Sequence, residues 1–339
     1  MHFNLNSAVQ PITRRSLLGA AAVVAATPVL AQTPAPICRI GPPPHDKGPS
    51  VWLDMDQVEL DAAYDQIYYS PLQAQIISRL ASNSELVRSR LGVPRREPYG
   101  PTEPEKLDIH RTARANAPIF VCIHGGAWLV GEARNYAYAA EMFVNAGAHY
   151  VALDFVAIAP AGGDLHVMAD QVRRGIAWVY RNAASFGGDA SRLYIGGHSS
   201  GGHLCGVALA TDWQKDFRLP ADIIKGGLCM SGLYDMKPVR LSKRSSYVKF
   251  TDEMEQAMSS QRHLDLLRAP VTVTYGTNET PEFQRQNRDF AAAVRAMGKP
   301  VELIEAANYN HFEMLESLGN PYGPNGRAAL AMMKLTRPD

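Results

Sequence analysis

The sequence predicts a doubly wound α/β fold, a mostly parallel sheet with helices packed on its faces. Three observations carry this. Apolar runs of strand length alternate with helical patterns from Ala117 to Leu335, with no internal repeat or linker. The runs are continuous rather than alternating, as strands buried on both faces require. One of them, Leu193-Tyr-Ile, breaks at glycines around a serine and resumes as an apolar helix.

Residues 1–31 read as an address rather than as part of the fold. Thr13-Arg14-Arg15-Ser16-Leu17-Leu18 sets a twin arginine before the Ala/Val run Gly19–Ala26, and Ala31 supplies a small residue for cleavage. That run is too short and alanine-rich for a membrane span. Export by a twin-arginine signal is therefore expected, to the periplasm or outside the cell, with no stable membrane insertion after cleavage. Pro34–Pro49 holds six prolines and marks residues 32–54 as an extended arm. A single domain is expected over 55–339.

Helical spacing runs from Met55 to Leu91, interrupted at Ser70-Pro71. Pro94–Pro104 reads as a proline-rich crossing, and Lys106–Arg111 as a half-exposed strand. Strands follow at Pro118–His124, His149–Val156, Arg192–Ile195, Gly226–Ser231, Val271–Gly276 and Val301–Ile304. Between them the spacing gives helices at Tyr138–Ala146, Leu165–Ala184, from the serine turn through Leu209, and from Pro281, well placed for a first helical position, to about Met297. Arg327–Leu335 closes the chain as a helix. Met236–Arg268 has no strand signal and is expected to form an excursion at the substrate end. Together with 55–91 it could supply cap elements.

Composition narrows the partners. Lys and Arg total 34 against 33 Asp and Glu, a net charge of +1 that becomes −1 once the two arginines of residues 1–31 are removed. No basic run with interleaved aromatics suggests a nucleic-acid surface. A small neutral substrate is expected. The four cysteines, Cys38, Cys122, Cys205 and Cys229, show no zinc-ligand spacing, and the last three sit in apolar patterns as buried thiols.

The chemistry-bearing residues fall at strand carboxyl ends, where a parallel sheet presents its site. Gly197-His-Ser199-Ser-Gly201 fits a nucleophile elbow, a tight strand-to-helix turn that pushes a serine hydroxyl above the sheet. Acyl transfer by Ser199 needs a base, an acid to orient the base, and oxyanion donors. His311, in the polar loop after the last strand, is the expected base. Glu279, after Val271–Gly276, is the expected acid. Glu282 competes, although its place near a helix start explains it through the helix dipole. The backbone N–H groups of Gly125, Gly126 and Ser200 are the expected oxyanion donors. His198 and His203 flank the serine too closely to act as base, so packing or the pocket wall accounts for them. Trp128 and His198 are candidate substrate contacts. His124 is expected to brace the glycine loop. The spacing of His124, His198 and His203 matches no usual metal-ligand pattern, so neither a metal nor a cofactor is expected.

His124-Gly-Gly-Ala-Trp128, Gly197-His-Ser-Ser-Gly-Gly-His-Leu204 and Glu279-Thr-Pro-Glu-Phe-Gln-Arg-Gln286 together resemble the α/β-hydrolase superfamily. Within it they resemble the kynurenine formamidase (arylformamidase) and carboxylesterase branch, over roughly Ala117–His311. The resemblance implies Ser199 as nucleophile, Glu279 as acid, His311 as base, and Gly125, Gly126 and Ser200 around the oxyanion. A glutamate stands where many members carry aspartate. The export signal departs from a cytoplasmic formamidase and shifts the expectation toward an external carboxylic ester, with aryl formamide or other amide cleavage as the alternative.

Overall fold

The computed structural model describes residues 41–337. The expected signal, residues 32–40 of the arm and Cys38 lie outside the described residues.

Eight strands make one sheet: β1 (Arg95–Pro98), β2 (Lys106–His110), β3 (Ala117–Ile123), β4 (His149–Leu153), β5 (Gly188–His198), β6 (Gly227–Met230), β7 (Val271–Gly276) and β8 (Val301–Ala306). Their spatial order is β1-β2-β4-β3-β5-β6-β7-β8. β1 and β2 run antiparallel to their neighbours, and β4 through β8 pair in parallel. The order turns back on itself at β3 and β5. Residues leaving their carboxyl ends therefore meet at a topological switch point, where open α/β sheets bind ligands.

Burial on both faces follows from the side-chain period of two. Ile119, Val121 and Ile123 of β3, with Val151 and Leu153 of β4, enter one apolar cluster with helices Leu165–Asn182, Ser200–Leu209 and Pro281–Ala296. Phe120 and Cys122, with Tyr150 and Ala152, enter the other, with helices Gln73–Leu91, Ala140–Asn145 and Pro324–Met332. Among the described residues no helix is long and apolar enough to cross a membrane.

Three elements differ from expectation. β1 lies inside the supposed proline-rich crossing. Its residues are half-buried or exposed, so no apolar pattern announces it, and it is held to β2 by the ladder and by Arg96 Nη1 donating to Asp108 (2.7 Å). His311 does not sit in a loop but opens a helix, His311–Glu316. Asn310 accepts from the N–H groups of Phe312 and Glu313 while Glu313 accepts from that of Asn310, a capping box contributing about 1 kcal/mol. The closing helix begins at Pro324, three residues early, because proline fits a first helical turn. The 236–268 excursion is a run of short helices with no strand, as expected.

Candidate active site

β5 ends at His198, and Ser199 turns the chain into the helix Ser200–Leu209 with φ 60° and ψ −123°. A non-glycine residue in this region of backbone space carries strain of about 1–3 kcal/mol, sustained only where surrounding structure fixes it. The fixing is visible. A Cβ on Gly197 would run into the Gly201 carbonyl, and one on Gly201 into the carbonyl of Ile123 at the end of β3. The elbow read from the sequence is thus formed, with Ser199 at its apex and 7% exposed.

The histidine opposite is oriented by a carboxylate. His311 Nδ1 donates to Glu279 Oε2 at 2.7 Å, which leaves Nε2 as the lone-pair nitrogen. Glu279 Oε1 accepts from Ser231 Oγ at 2.6 Å and from the Gly276 N–H at 2.7 Å. Both residues of the pair are buried. Burial, with the Arg244 guanidinium nearby, pushes the imidazolium of His311 well below its usual range. Burial also pushes the Glu279 carboxyl up, against the opposing pull of Ser231, Gly276 and the neighbouring His198. The donors converging on Glu279 suit an ionised carboxylate, and His311 is then a neutral imidazole. Glu282 is occupied elsewhere: it accepts from Tyr64 Oη (2.9 Å) and pairs with Arg285 (2.6 and 2.8 Å).

The glycine loop corrects one expectation. The N–H of Gly125 is already bound, donating to Tyr136 Oη at 2.9 Å, so it is not a free oxyanion donor. Among the described residues the N–H groups of Gly126 and Ala127 donate to nothing. Ser200 opens its helix, where the first N–H groups have no intrahelical acceptor. The N–H groups left free beside the serine are therefore those of Gly126 and Ala127, with that of Ser200 at the helix start. A methyl group at Gly125 would lie 2.6 Å from the His198 carbonyl and 3.4 Å from Ser199 Cβ, which shows how closely this loop approaches the serine. His124 braces it as expected, with Nδ1 3.0 Å from the Gly125 carbonyl and its ring stacked 4.0 Å from Phe155.

Tyr136→Phe deletes the acceptor of a buried N–H, a loss of about 1–3 kcal/mol that falls on this loop. A roughly tenfold fall in kcat with a smaller change in KM is expected from steady-state kinetics. An unchanged kcat would show that the tyrosine does not position the donors.

A cavity of about 580 Å³ opens over Ser199, of a size suited to a small organic substrate. Gly126, His198 and His311 line it, Ile77 and Leu80 come from Gln73–Leu91, and Tyr247 from the excursion. A larger cavity of about 670 Å³, beside Tyr309 and Glu313, contains none of the candidate residues. His198 lies on the wall, its ring 4.3 Å from that of His311. Trp128 does not line this cavity, which corrects the expected substrate contact. It is packed in the core at 2% exposure, its Nε1 donating to His203 Nδ1 (3.2 Å) and its N–H to Ser200 Oγ (3.2 Å). Its indole thus fixes the elbow helix from behind. Cys122, Cys205 and Cys229 are buried and free. Ser231, Tyr136 and Arg244 were not singled out in the sequence. Ser231 alone left a signal, at the end of an apolar strand run.

The BD-FAE family model matches residues 107–225, which hold the glycine loop and the elbow. Kynurenine formamidase of Danio rerio is 31% identical over 282 residues, covering 79% of this chain and 94% of that protein. Esterase LipC of Mycobacterium tuberculosis is 27% identical over 243 residues, 68% of this chain and 59% of that protein. A thermophilic esterase of Thermogutta terrifontis superposes with a TM-score of 0.57 at 18% identity, covering 72% of this chain and 91% of that one, a likeness of fold. An eight-stranded, mostly parallel sheet with this strand order and this extent of similarity lead to one placement: the chain is a hydrolase and belongs to the α/β-hydrolase family, in its kynurenine formamidase and esterase branch.

Proposed function

We propose that the protein is an exported serine hydrolase that cleaves a carboxylic ester through Ser199, His311 and Glu279. The observation that carries this is the Glu279–His311 pair at 2.7 Å, whose histidine lines the same cavity as the strained serine. Ser199 Oγ attacks the substrate carbonyl as His311 Nε2 takes its proton. Glu279 holds the Nδ1–H tautomer and balances the imidazolium that forms. The N–H groups of Gly126, Ala127 and Ser200 receive the developing oxyanion, each such donor contributing about 3 kcal/mol. Collapse expels the alcohol, which takes the proton from His311 Nε2. Water, deprotonated by the same nitrogen, then releases the acid from the acyl-enzyme. The reaction as drawn uses no cofactor.

A second reading is cleavage of an aryl formamide, favoured by similarity along 94% of the Danio rerio kynurenine formamidase. The same steps apply, with an amine leaving in place of the alcohol. The twin-arginine segment favours the ester reading, since a substrate outside the cytoplasm follows from it. Turnover of p-nitrophenyl acetate and butyrate beside N-formylkynurenine, with Ser199→Ala as control, separates the two. Faster ester cleavage supports the first reading and faster formamide cleavage the second.

The depressed basicity of His311 sets a pH dependence. A base works only when deprotonated, so a pKa held below its ordinary 6.5 keeps it competent to lower pH. Its partner Glu279 is raised by the same burial to about 7, so the acid limb of kcat/KM belongs to the pair and is expected at its half-height no higher than about pH 7. A limb centred well above pH 7 would contradict the burial assigned to His311.

A further inference from the structure

The excursion after β6 places one guanidinium in the cavity wall without a counter-charge. Arg244 is 5% exposed and lines the same cavity as Ser199. Its Nη2 donates to the Tyr64 carbonyl (3.0 Å) and its Nη1 to Tyr247 Oη (3.2 Å), while Nε finds no partner. A guanidinium has five N–H donors, so these contacts leave most of them unused. Among the described residues no carboxylate pairs with it. Glu279 is committed to Ser231, Gly276 and His311. Asp65, at the rim, is paired with Lys243. The guanidinium carbon lies 5.2 Å from the Trp128 ring centre and 5.9 Å from that of Tyr64. Such stacking offsets only part of what burying an unpaired ion costs. A buried charge of this kind calls for an anion, and Arg244 lines the cavity through which one would reach it.

We propose that Arg244 forms a carboxylate-binding subsite, so that the substrate cleaved at Ser199 carries a carboxylate whose oxygens accept the N–H groups Arg244 leaves unpaired. The planar fork matches a carboxylate, which a lysine ammonium does not. Tyr247, whose hydroxyl accepts from Nη1, orients the fork. This inference rests on the serine-hydrolase reading of the cavity and adds the class of substrate to it.

The test uses two ester pairs of matched shape. Mono-p-nitrophenyl adipate is compared with p-nitrophenyl hexanoate, and 4-carboxyphenyl butyrate with its methyl ester, so the charge is carried once on the acyl part and once on the leaving group. The wild-type protein is expected to favour the charged member of one pair by about tenfold or more in kcat/KM. Arg244→Gln is expected to cut that charged-to-neutral ratio about 100-fold, the scale of a charged hydrogen-bonded pair. Arg244→Lys, which keeps charge without the fork, should fall between. It also carries the test if the glutamine variant does not fold. A wild type that discriminates in neither pair overturns the proposal, as does a ratio unmoved in both variants. Calorimetric binding to Ser199→Ala separates this from the catalytic reading. Tighter binding of the charged ester, lost on adding Arg244→Gln, supports the subsite even without turnover, and equal binding of both esters overturns it.

Discussion

Ser199→Ala is expected to lower kcat by about five orders of magnitude or more, on the scale seen when a serine nucleophile is removed. On the mechanism proposed above the effect is large because Ser199 forms the covalent bond to the acyl group, and no neighbour replaces it. His198 and His203 lack the position: His198 packs against His311, and His203 is held by Trp128 and by the Met258 carbonyl at 3.0 Å. Alanine fits the elbow, since it keeps the Cβ that Ser199 already places at this φ of 60° and removes only the hydroxyl. Stability should therefore hold, and relief of the hydroxyl's desolvation should offset the lost contacts. Retention of even 1% of wild-type turnover, an assay threshold of about two orders of magnitude, would remove Ser199 from the nucleophile's role.

Glu279→Gln should have the second largest effect, lowering kcat by about 10³–10⁴. The amide presents a donor or a neutral acceptor to His311, so the Nδ1–H tautomer is no longer enforced and the imidazolium of the transition state loses its balancing charge. Ser231 Oγ and the Gly276 N–H still hold the side chain, which confines the change to charge and tautomer. Glu282→Gln is the contrasting variant. It loosens a buried ion pair with Arg285 and the anchor of Tyr64, so melting temperature should fall by several degrees while kcat falls less than about tenfold. Thermal melts and kinetics on the two variants side by side check this. A large kcat loss in Glu282→Gln, with little in Glu279→Gln, would reverse the assignment of the acid.

How far the sequence carried this depends on the range of each determinant. β3 and β4 were legible because their residues are buried on both faces and read as unbroken apolar runs. The elbow was legible because glycines at 197 and 201 are demanded by backbone contact within and beside the turn. β1 was not, since an edge strand of arginine, glutamate and proline has no hydrophobic period, and pairing with β2 decides it. The start of the His311 helix had a local sign in Asn310 and Glu313, a capping box three residues apart, overshadowed by the polar run around it. That the Gly125 N–H is occupied was not legible, because Gly125 and Tyr136 meet through a bond set by the fold of the 133–139 turn. Trp128 had no local signal separating pocket wall from core. Its partner His203 lies 75 residues away. Arg244 is more remote still from any pattern, its contact with the Tyr64 carbonyl spanning 180 residues. Residues in contact within a turn are readable; those brought together by the sheet are not.

The central claim is that Ser199 becomes acylated, and covalent capture tests it most directly. The protein is treated with a fluorophosphonate, whose phosphorus takes the place of the acyl carbon, and the adduct is located by mass spectrometry of the digest. The expected result is stoichiometric modification on the peptide carrying Ser199, absent in Ser199→Ala, slowed in Glu279→Gln and prevented by excess ester substrate. An ester-cleaving protein that stays unmodified, or is modified elsewhere with its activity intact, would contradict the account.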